Sequence, residues 1–216
     1  MYKTEQENFW AGDFGDEYAE RNSCPEQLAS NVSFFAGIFK RCNELRSLIE
    51  FGANVGMNIK SIRMLLPFSR ISAIEINKGA CSELRKIELL GGEVFNNSIL
   101  NVVLRKEYDF AFTKGVLIHI DPNELQNAYG KLYGCVRPGG YIMVAEYYNP
   151  TPVVVEYRGN KDKLFKRDFA GELMDKYSDL ELVDYGFAYH RDGWNSDSNW
   201  FLMRKVGKKL KGMGKL

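Results

Sequence analysis

The stretch from residue 50 to residue 58 constrains the fold more than any other part of the chain. It follows a short apolar run that predicts a buried strand, and it leads into residues 58–66, whose apolar positions recur at helical spacing. A strand, a glycine-containing turn and a helix together form the loop with which α/β proteins hold nucleotides. A dinucleotide fingerprint would need glycines at 52, 54 and 57, but positions 54 and 57 are asparagine and methionine. The pattern therefore argues against a nicotinamide-dependent oxidoreductase.

The residues of this loop allow a ligand to approach the backbone closely. Gly52 and Gly56 let the backbone approach a ligand without a Cβ collision, and Asn54 tolerates positive φ better than other non-glycine residues. Glu50 can attract an ammonium group or fix the loop by accepting from backbone N–H groups. The arrangement resembles the E-x-G-x-G-x-G loop of S-adenosylmethionine-dependent methyltransferases, with Asn54 in the middle glycine position. The alternative is an ordinary strand–turn–helix unit.

A second acid lies where such folds place a partner for a ribose. Residues 71–75 form an apolar run that ends in Glu75, roughly 20 residues beyond Gly56. A carboxylate can accept from both ribose hydroxyls at once. We expect Glu75 and the adjacent Ile76 to contact the cofactor, and the alternative is a solvated acid at a strand end.

Composition bounds the class of protein. The chain has 216 residues, 45% hydrophobic and 26% charged, which is enough for one α/β domain with a sizeable core. The first residues are polar and acidic, so no signal peptide is expected, and no apolar run approaches the length of a membrane span. Four widely spaced cysteines without a C-x-x-C pair favour buried thiols in a reducing compartment. We expect a cytoplasmic protein that binds no metal.

The basic charge is concentrated at the C-terminus. Residues 204–216 hold six Lys/Arg and no acid, so without them 29 − 6 = 23 bases face 28 acids, a net charge of −5. The favoured interpretation is a single domain of residues 1–206 followed by a solvated, disordered tail at 207–216. The alternative is that the tail docks on nucleic acid or an anionic membrane surface, as in a nucleic-acid-binding or RNA-modifying protein. We regard nucleic acid as the less favoured partner.

Strand and helix patterns alternate between residues 46 and 146, behind an N-terminal helical cover at 1–45. This alternation predicts an α/β, Rossmann-like and mostly parallel sheet with helices on both faces. The predicted elements are strands at 93–95, 108–113 and 141–146, helices at 79–90 and 121–135, and a turn at 137–140. Farther on, the pattern predicts a loop at 147–163, a helix at 167–177 and strands at 180–187 and 200–203. The total is a seven-stranded sheet with an antiparallel last strand.

Several segments together resemble one family. They include FWAGDFGDEY at 9–18, the 50–58 loop, TKGVLIHI at 113–120, AEYYNPTP at 145–152 and residues 157–168. Over nearly the whole chain except the basic tail, the sequence resembles the class I methyltransferases known as pseudaminic acid biosynthesis-associated methylases. The resemblance implies S-adenosylmethionine as cofactor. It also implies a small anionic acceptor, such as a nonulosonic acid or its nucleotide-activated form.

Candidate cofactor residues follow the carboxyl ends of the predicted strands, where open α/β sheets bind ligands. Similar enzymes place an acid toward the adenine amino group where Asn97 and Ser98 lie, and an amide or hydroxyl can also accept there; the alternative is an Asx turn. Arg21 suits the cofactor carboxylate because its planar fork bonds both oxygens, although the nearby aromatic residues can equally pack the helices onto the sheet. The full set is Tyr18, Arg21, Glu50, Gly52, Asn54, Gly56, Glu75, Ile76, Asn97, Ser98, Lys114 and Val116.

His119 is the candidate general base. It lies just beyond the fourth predicted strand, and an ordinary histidine pKa of about 6.5 suits proton transfer near neutrality. Its alternative role is to pack against or cap the next helix beside Asp121. The other histidine, His190, is expected to be peripheral.

Substrate contacts are expected from the segment after the fifth predicted strand. Tyrosines and basic residues cluster there, which suits an anionic acceptor. The candidates are Tyr147, Tyr148, Asn149, Tyr157, Arg158, Lys161, Lys163 and Arg167. The alternative is a solvated, charged loop.

Overall fold

Helices and strands alternate along the computed structural model, which describes residues 2–22, 25–105, 107–192 and 197–207. The helices are α1 (Glu5–Ala11), α2 (Asp13–Arg21), α3 (Pro25–Phe39), α4 (Met57–Leu65), α5 (Lys78–Leu84), α6 (Leu125–Gly134) and α7 (Phe169–Lys176). The strands are β1 (Ser47–Phe51), β2 (Arg70–Glu75), β3 (Val94–Asn96), β4 (Tyr108–Lys114), β5 (Val136–Glu146), β6 (Val153–Tyr157), β7 (Asn160–Lys166), β8 (Leu180–Ala188) and β9 (Ser198–Lys205). Three 3-10 turns cover Leu117–His119, Pro122–Glu124 and His190–Asp192.

Seven strands form one sheet in the order β3-β2-β1-β4-β5-β9-β8. Strands β1 to β5 pair in parallel, and β9 runs antiparallel to both β5 and β8. The predicted α/β class, the seven strands and the antiparallel last strand are therefore confirmed. The strand order reverses between β1 and β4, which is where open α/β sheets leave a crevice for a ligand.

The sheet is buried on both faces, as a parallel sheet must be when helices cover it. The first six residues of β4 are all buried. One face packs against α6 and α7 through Tyr129, Leu132 and Leu173, which are almost fully buried. The other packs against α3 and α4 through Phe35 and Ile59. The apolar stripes of these helices thus fix the sheet between two layers.

The N-terminal helices lie beside the carboxyl ends of the strands. Helix α1 begins with a capping box, in which Thr4 Oγ1 accepts from Glu7 N at 3.2 Å and Glu7 Oε2 accepts from Thr4 N at 2.8 Å. Asp16 of α2 accepts from Asn77 Nδ2 at 2.7 Å, just after β2. The bond between Asp16 and Asn77 therefore attaches α2 to the carboxyl end of β2.

Two predicted helices have wrong boundaries. The helix predicted at 79–90 ends at Leu84. The chain must return early to β2, since Ile71 N donates to Leu89 O and a Cβ at Gly92 would lie 1.8 Å from Ile71 O. The helix predicted at 121–135 is divided between a 3-10 turn and α6. Asp121 caps the 3-10 turn, because its Oδ1 accepts from Asn123 N at 2.9 Å.

The predicted loop at 147–163 is wrong, because β6 and β7 form an antiparallel hairpin there. Tyr157 pairs with Asn160, and both intervening residues, Arg158 and Gly159, have positive φ (49° and 78°). This is the conformation of a two-residue type I′ hairpin turn. The predicted turn at 137–140 is likewise part of β5, as a bulge between the pairs that Tyr108 and Phe110 make.

The beginning of the basic C-terminal segment belongs to the sheet. Arg204 and Lys205 are in β9, and Lys205 Nζ donates to Tyr133 O at 3.1 Å and to Val136 O at 2.7 Å. Residues 208–216, which carry the remainder of the predicted tail, lie outside the described residues. Within the described ranges, no helix combines the length and the apolar character needed to span a membrane.

Candidate functional site

A cavity of about 200 Å³ lies in the crevice at the carboxyl ends of β1, β2 and β4, beneath α1 and α2. Ten of the predicted site residues line it. They are Tyr18, Gly52, Asn54, Glu75, Ile76, Asn97, Ser98, Lys114, Val116 and His119. The structure therefore brings these ten predicted residues together around one cavity.

The loop after β1 has the backbone that its sequence predicts. Gly52, Asn54 and Gly56 all have left-handed φ, at 74°, 48° and 79°. A Cβ at Gly52 would lie 2.7 Å from Val116 Cγ2, so close packing also requires glycine there. A Cβ at Gly56 would lie 2.5 Å from Ile87 Cδ1. Gly56 thus faces the residues that follow α5 and does not line the cavity.

Glu75 ties this loop to the end of β2. One carboxylate oxygen accepts from Asn54 N at 2.7 Å and the other from Asn77 N at 2.8 Å. Burial raises the pKa of the carboxyl group, whereas the backbone hydrogen bonds lower it. Each oxygen can accept a second hydrogen bond, so the side chain can still bind a ligand that enters the cavity.

Three buried ionisable side chains, Glu50, Lys114 and Glu146, interact with one another, and of these three Lys114 lines the cavity. Glu50 does not line the cavity; its Oε1 accepts from Asn58 Nδ2 at 2.6 Å, and its buried Oε2 has no partner among the described residues. Burial raises its pKa to about 8. Burial also raises the pKa of Glu146, to about 7, although Val116 N donates to this carboxylate at 2.9 Å. Lys114 does line the cavity, and burial lowers its pKa against the opposing effect of the two glutamates.

Asn97 and Ser98 form a turn and also line the cavity. Asn97 Oδ1 accepts from Ser98 N at 2.8 Å, and Ser98 Oγ accepts from Leu100 N at 3.0 Å. Ser98 thus forms an ST turn, whereas the bond from Asn97 to the next residue is not the Asx turn that the sequence offered as an alternative. Neither bond competes with ligand binding, since both oxygens keep a lone pair.

His119 is buried at the edge of the cavity, and its ring is fixed on one side. Its Nδ1 lies 2.6 Å from the carbonyl oxygen of Lys163 in β7. A carbonyl oxygen only accepts, so Nδ1 carries the proton and Nε2 is left as an acceptor. Burial lowers the pKa of His119 to about 4. The imidazole is therefore neutral near pH 7.

Aromatic side chains surround this histidine. The rings of Trp10 and Tyr157 lie with their centroids 4.7 Å and 4.8 Å from that of His119. Trp10 also packs edge-to-face on Tyr18 at 5.2 Å. Burial raises the pKa of Tyr18 to about 12. The N-terminal aromatics thus pack the helices onto the sheet and line the cavity at the same time.

Arg21 and the predicted substrate residues do not line the cavity. Arg21 makes an ion pair of 3.7 Å with Glu17, and its guanidinium lies over Phe14. Lys163 Nζ lies 3.2 Å from Glu5, and Arg167 Nε lies 2.6 Å from Glu172. Among the predicted substrate residues, Tyr157 contacts the His119 ring, Tyr147 lies under Lys166, Asn149 bonds Thr151, and Tyr148, Arg158 and Lys161 are exposed.

Several polar residues of the cavity were not predicted from the sequence. They are Thr4, Gln6, Glu7, Asn22, Gln27, Asn31, Asn58, Asn77 and Asp121. The spacing of Thr4 and Glu7 predicts a helix start. It does not show that the helix covers a cavity. Within the part of the chain that the structure describes, no group of three or more His, Cys, Asp or Glu side chains can hold a metal ion.

Comparison with solved structures identifies the class of fold. No protein-family model matches the chain, and no curated protein matches it in sequence. A Burkholderia thailandensis 1,6-didemethyltoxoflavin-N1-methyltransferase, solved with 1,6-didemethyltoxoflavin and S-adenosylhomocysteine, is similar at TM-score 0.68 and 11% identity over 94% of this chain and 87% of that one.

Two further structures agree with it. The plantazolicin methyltransferase in complex with S-adenosylhomocysteine has a TM-score of 0.67 and 12% identity over 93% and 94% of the two chains. The N-methyltransferase NodS from Bradyrhizobium japonicum, also with S-adenosylhomocysteine, has 0.64 and 14% over 88% and 98%. The chain therefore has the fold of class I S-adenosylmethionine-dependent methyltransferases.

Proposed function

We propose that this chain is an S-adenosylmethionine-dependent methyltransferase that acts on a small molecule. The observation that carries the proposal is the position of Glu75. Its carboxylate lines the cavity and is held by the backbone N–H groups of Asn54 and Asn77. A cavity-lining carboxylate at the end of β2, beside a left-handed loop at the end of β1, suits the ribose of a nucleoside.

The residues of the cavity fit this cofactor, which would supply an electrophilic methyl group on a sulfonium. Glu75 would accept from the ribose hydroxyls, and Asn97 would accept from the adenine amino group. Lys114 would pair with the carboxylate of the methionine part. Glu50 lies behind this lining, where it interacts with Lys114, and its Oε2 has no partner among the described residues. Each assignment pairs a hydrogen-bond donor with an acceptor, or a cation with an anion.

His119 would accept a hydrogen bond or a proton from the substrate that receives the methyl group. The Lys163 carbonyl holds its Nδ1 proton, so Nε2 is free to accept from an O–H or N–H group. With a pKa of about 4, the ring stays neutral over the physiological range. The surrounding Trp10 and Tyr157 rings would keep water away from that nitrogen.

A nonulosonic acid-type sugar is the more specific acceptor that we consider. Its support is the sequence resemblance and the position of the β6–β7 hairpin, whose Tyr157 contacts His119. The free thiols of Cys42, Cys81 and Cys135 support a location in the reducing cytoplasm. The nucleic-acid alternative depends on the basic C-terminal segment, of which Arg204 and Lys205 belong to β9 and the remaining lysines lie outside the described residues.

Calorimetry tests the cofactor assignment. We expect S-adenosylmethionine and S-adenosylhomocysteine to bind and NAD not to bind. Glu75→Gln should weaken S-adenosylhomocysteine by roughly tenfold or more, because the amide N–H₂ would face a backbone N–H instead of accepting from it. Glu83→Gln, on the exposed side of α5, is the matched control. NAD binding without a response to S-adenosylmethionine would overturn the proposal.

A further inference from the structure

The end of the cavity beneath α1 presents buried oxygen atoms that accept no hydrogen bond. Gln6 and Glu7 are 8% and 5% exposed, and the Oε1 atom of each has no partner among the described residues. The other polar atoms of both side chains are already used. Gln6 Nε2 donates to Asp162 O at 3.1 Å, and Glu7 Oε2 accepts from Thr4 N at 2.8 Å. The two free atoms of Gln6 and Glu7 are therefore both acceptors, whereas the buried Trp10 Nε1 on the same helix is a donor that likewise has no partner among the described residues.

His119, which packs against Trp10 of the same helix, supplies a third acceptor to the lining of the cavity. Gln6 and Trp10 are four residues apart on α1, and Glu7 and Trp10 are three apart, so all three side chains share one helix face. The Trp10 ring lies 4.7 Å from that of His119, whose Nε2 is an acceptor. A buried polar atom without a partner destabilises the folded chain. Such a cluster is expected where a ligand supplies the missing donors.

The charged residues that line the cavity also favour a hydrogen-bond donor over an anion. Among the described residues that line it, Lys114 is the one lysine or arginine, whereas Glu7, Glu75 and Asp121 are acids. The basic residues that the sequence assigned to an anionic substrate do not reach it. Lys163 and Arg167 are occupied by Glu5 and Glu172. The cavity therefore offers little to an anion and much to a hydrogen-bond donor.

We infer that the acceptor pocket, defined as Gln6, Glu7, Trp10 and His119, binds a neutral or cationic small molecule through an amine. This inference rests on the proposed function and replaces the anionic sugar with an amine-bearing acceptor. An ammonium group carries three donors, which matches the three acceptor atoms, whereas a hydroxyl supplies one. The carboxylate of Glu7 adds a charge-assisted bond. A carboxylate ligand would face these three acceptors and could take a hydrogen bond only from Trp10 Nε1.

A matched set of three probes on one ring tests the inference. Benzylamine, benzyl alcohol and benzoate are titrated by ligand-observed NMR into the full chain saturated with S-adenosylhomocysteine. We expect benzylamine to bind more tightly than benzyl alcohol and benzoate not to bind. Glu7→Gln should weaken benzylamine about ten- to hundredfold, the usual range for a charged hydrogen bond. Glu44→Gln, an exposed glutamate that pairs with Arg46 before β1, should change nothing.

The outcomes are distinguishable. Benzoate binding at least as tight as benzylamine, or no preference for the amine, would overturn the inference and restore the anionic acceptor. A Glu7→Gln variant that binds benzylamine normally would also overturn it. Gln6→Leu removes one acceptor without touching the helix cap, and it should weaken benzylamine while leaving the melting temperature within a few degrees. Failure to bind S-adenosylhomocysteine would instead refute the proposed function. The three probes would then be titrated into the protein without S-adenosylhomocysteine, and the same order of affinities would decide the inference.

Discussion

The carbonyl oxygen of Lys163 lies 2.6 Å from Nδ1 of His119 and fixes the tautomer of that ring. The contact joins the segment after β4 to the β6–β7 hairpin. A histidine that faces an aromatic cluster on one side and a carbonyl on the other cannot rotate without losing both. The orientation of Nε2 toward the acceptor pocket therefore depends on the hairpin.

His119→Ala should retain cofactor affinity and lower turnover about a hundredfold or more, the usual scale for loss of a general base. Release of S-adenosylhomocysteine measures turnover, and calorimetry measures cofactor binding. His190→Ala is the control, because His190 pairs with the exposed Asp197 and does not line the cavity. Full turnover by His119→Ala would remove the residue from this role.

The buried imidazole should also make stability depend on pH. The pKa of His119 is about 4 in the folded chain and near 6.5 when unfolded, so the unfolded state binds more protons between these values. Its contribution is complete above pH 6.5 and is lost as pH falls toward 4, a difference of about 3 kcal/mol. Urea denaturation of wild type and His119→Gln should therefore converge toward pH 4. A constant difference across this range would contradict the burial of a neutral ring.

Glu50→Gln should stabilise the ligand-free protein and weaken cofactor binding. Burial raises the folded pKa of Glu50 to about 8, so this group contributes stability at low pH that is lost as pH rises through 8. At pH 8 or above, the glutamine variant should unfold with a free energy higher by on the order of 3 kcal/mol, and the gain should vanish near pH 4.5. Denaturation curves at both pH values decide this. Equal stability at pH 8 would show that Lys114 already neutralises the carboxylate.

Asn54 should tolerate glycine but not a β-branched residue. Its φ of 48° lies in the left-handed region. Asn54→Gly should leave the free energy of unfolding within about 0.5 kcal/mol, whereas Asn54→Val should lower it by about 1–2 kcal/mol. S-adenosylhomocysteine affinity should fall with valine, since the same backbone N–H holds Glu75. A valine variant as stable as wild type would show that the loop adopts another conformation.

The sequence predicts the parts of this molecule that short-range patterns determine. The left-handed loop follows from Gly52 and Asn54, and the buried strands follow from apolar runs. The hairpin was missed because Pro150 and Pro152 precede it and Arg158 occupies a turn position usually taken by asparagine or glycine. The acceptor pocket was missed for a different reason. Which side of α1 faces the cavity depends on contacts with distant residues, such as that between Gln6 and Asp162.

The hydrogen bond between Asp16 and Asn77 joins the helical cover to the loop that also holds Glu75. Movement of α2 away from the crevice must break this bond. Asn77, whose backbone N–H donates to Glu75, would then lose its side-chain partner. Each 1.4 kcal/mol that the bond between Asp16 and Asn77 adds to the barrier for that movement would slow the movement about tenfold. Asn77 therefore links the position of α2 to the hydrogen bonding of Glu75, and under the proposed function it would influence how long the product stays bound.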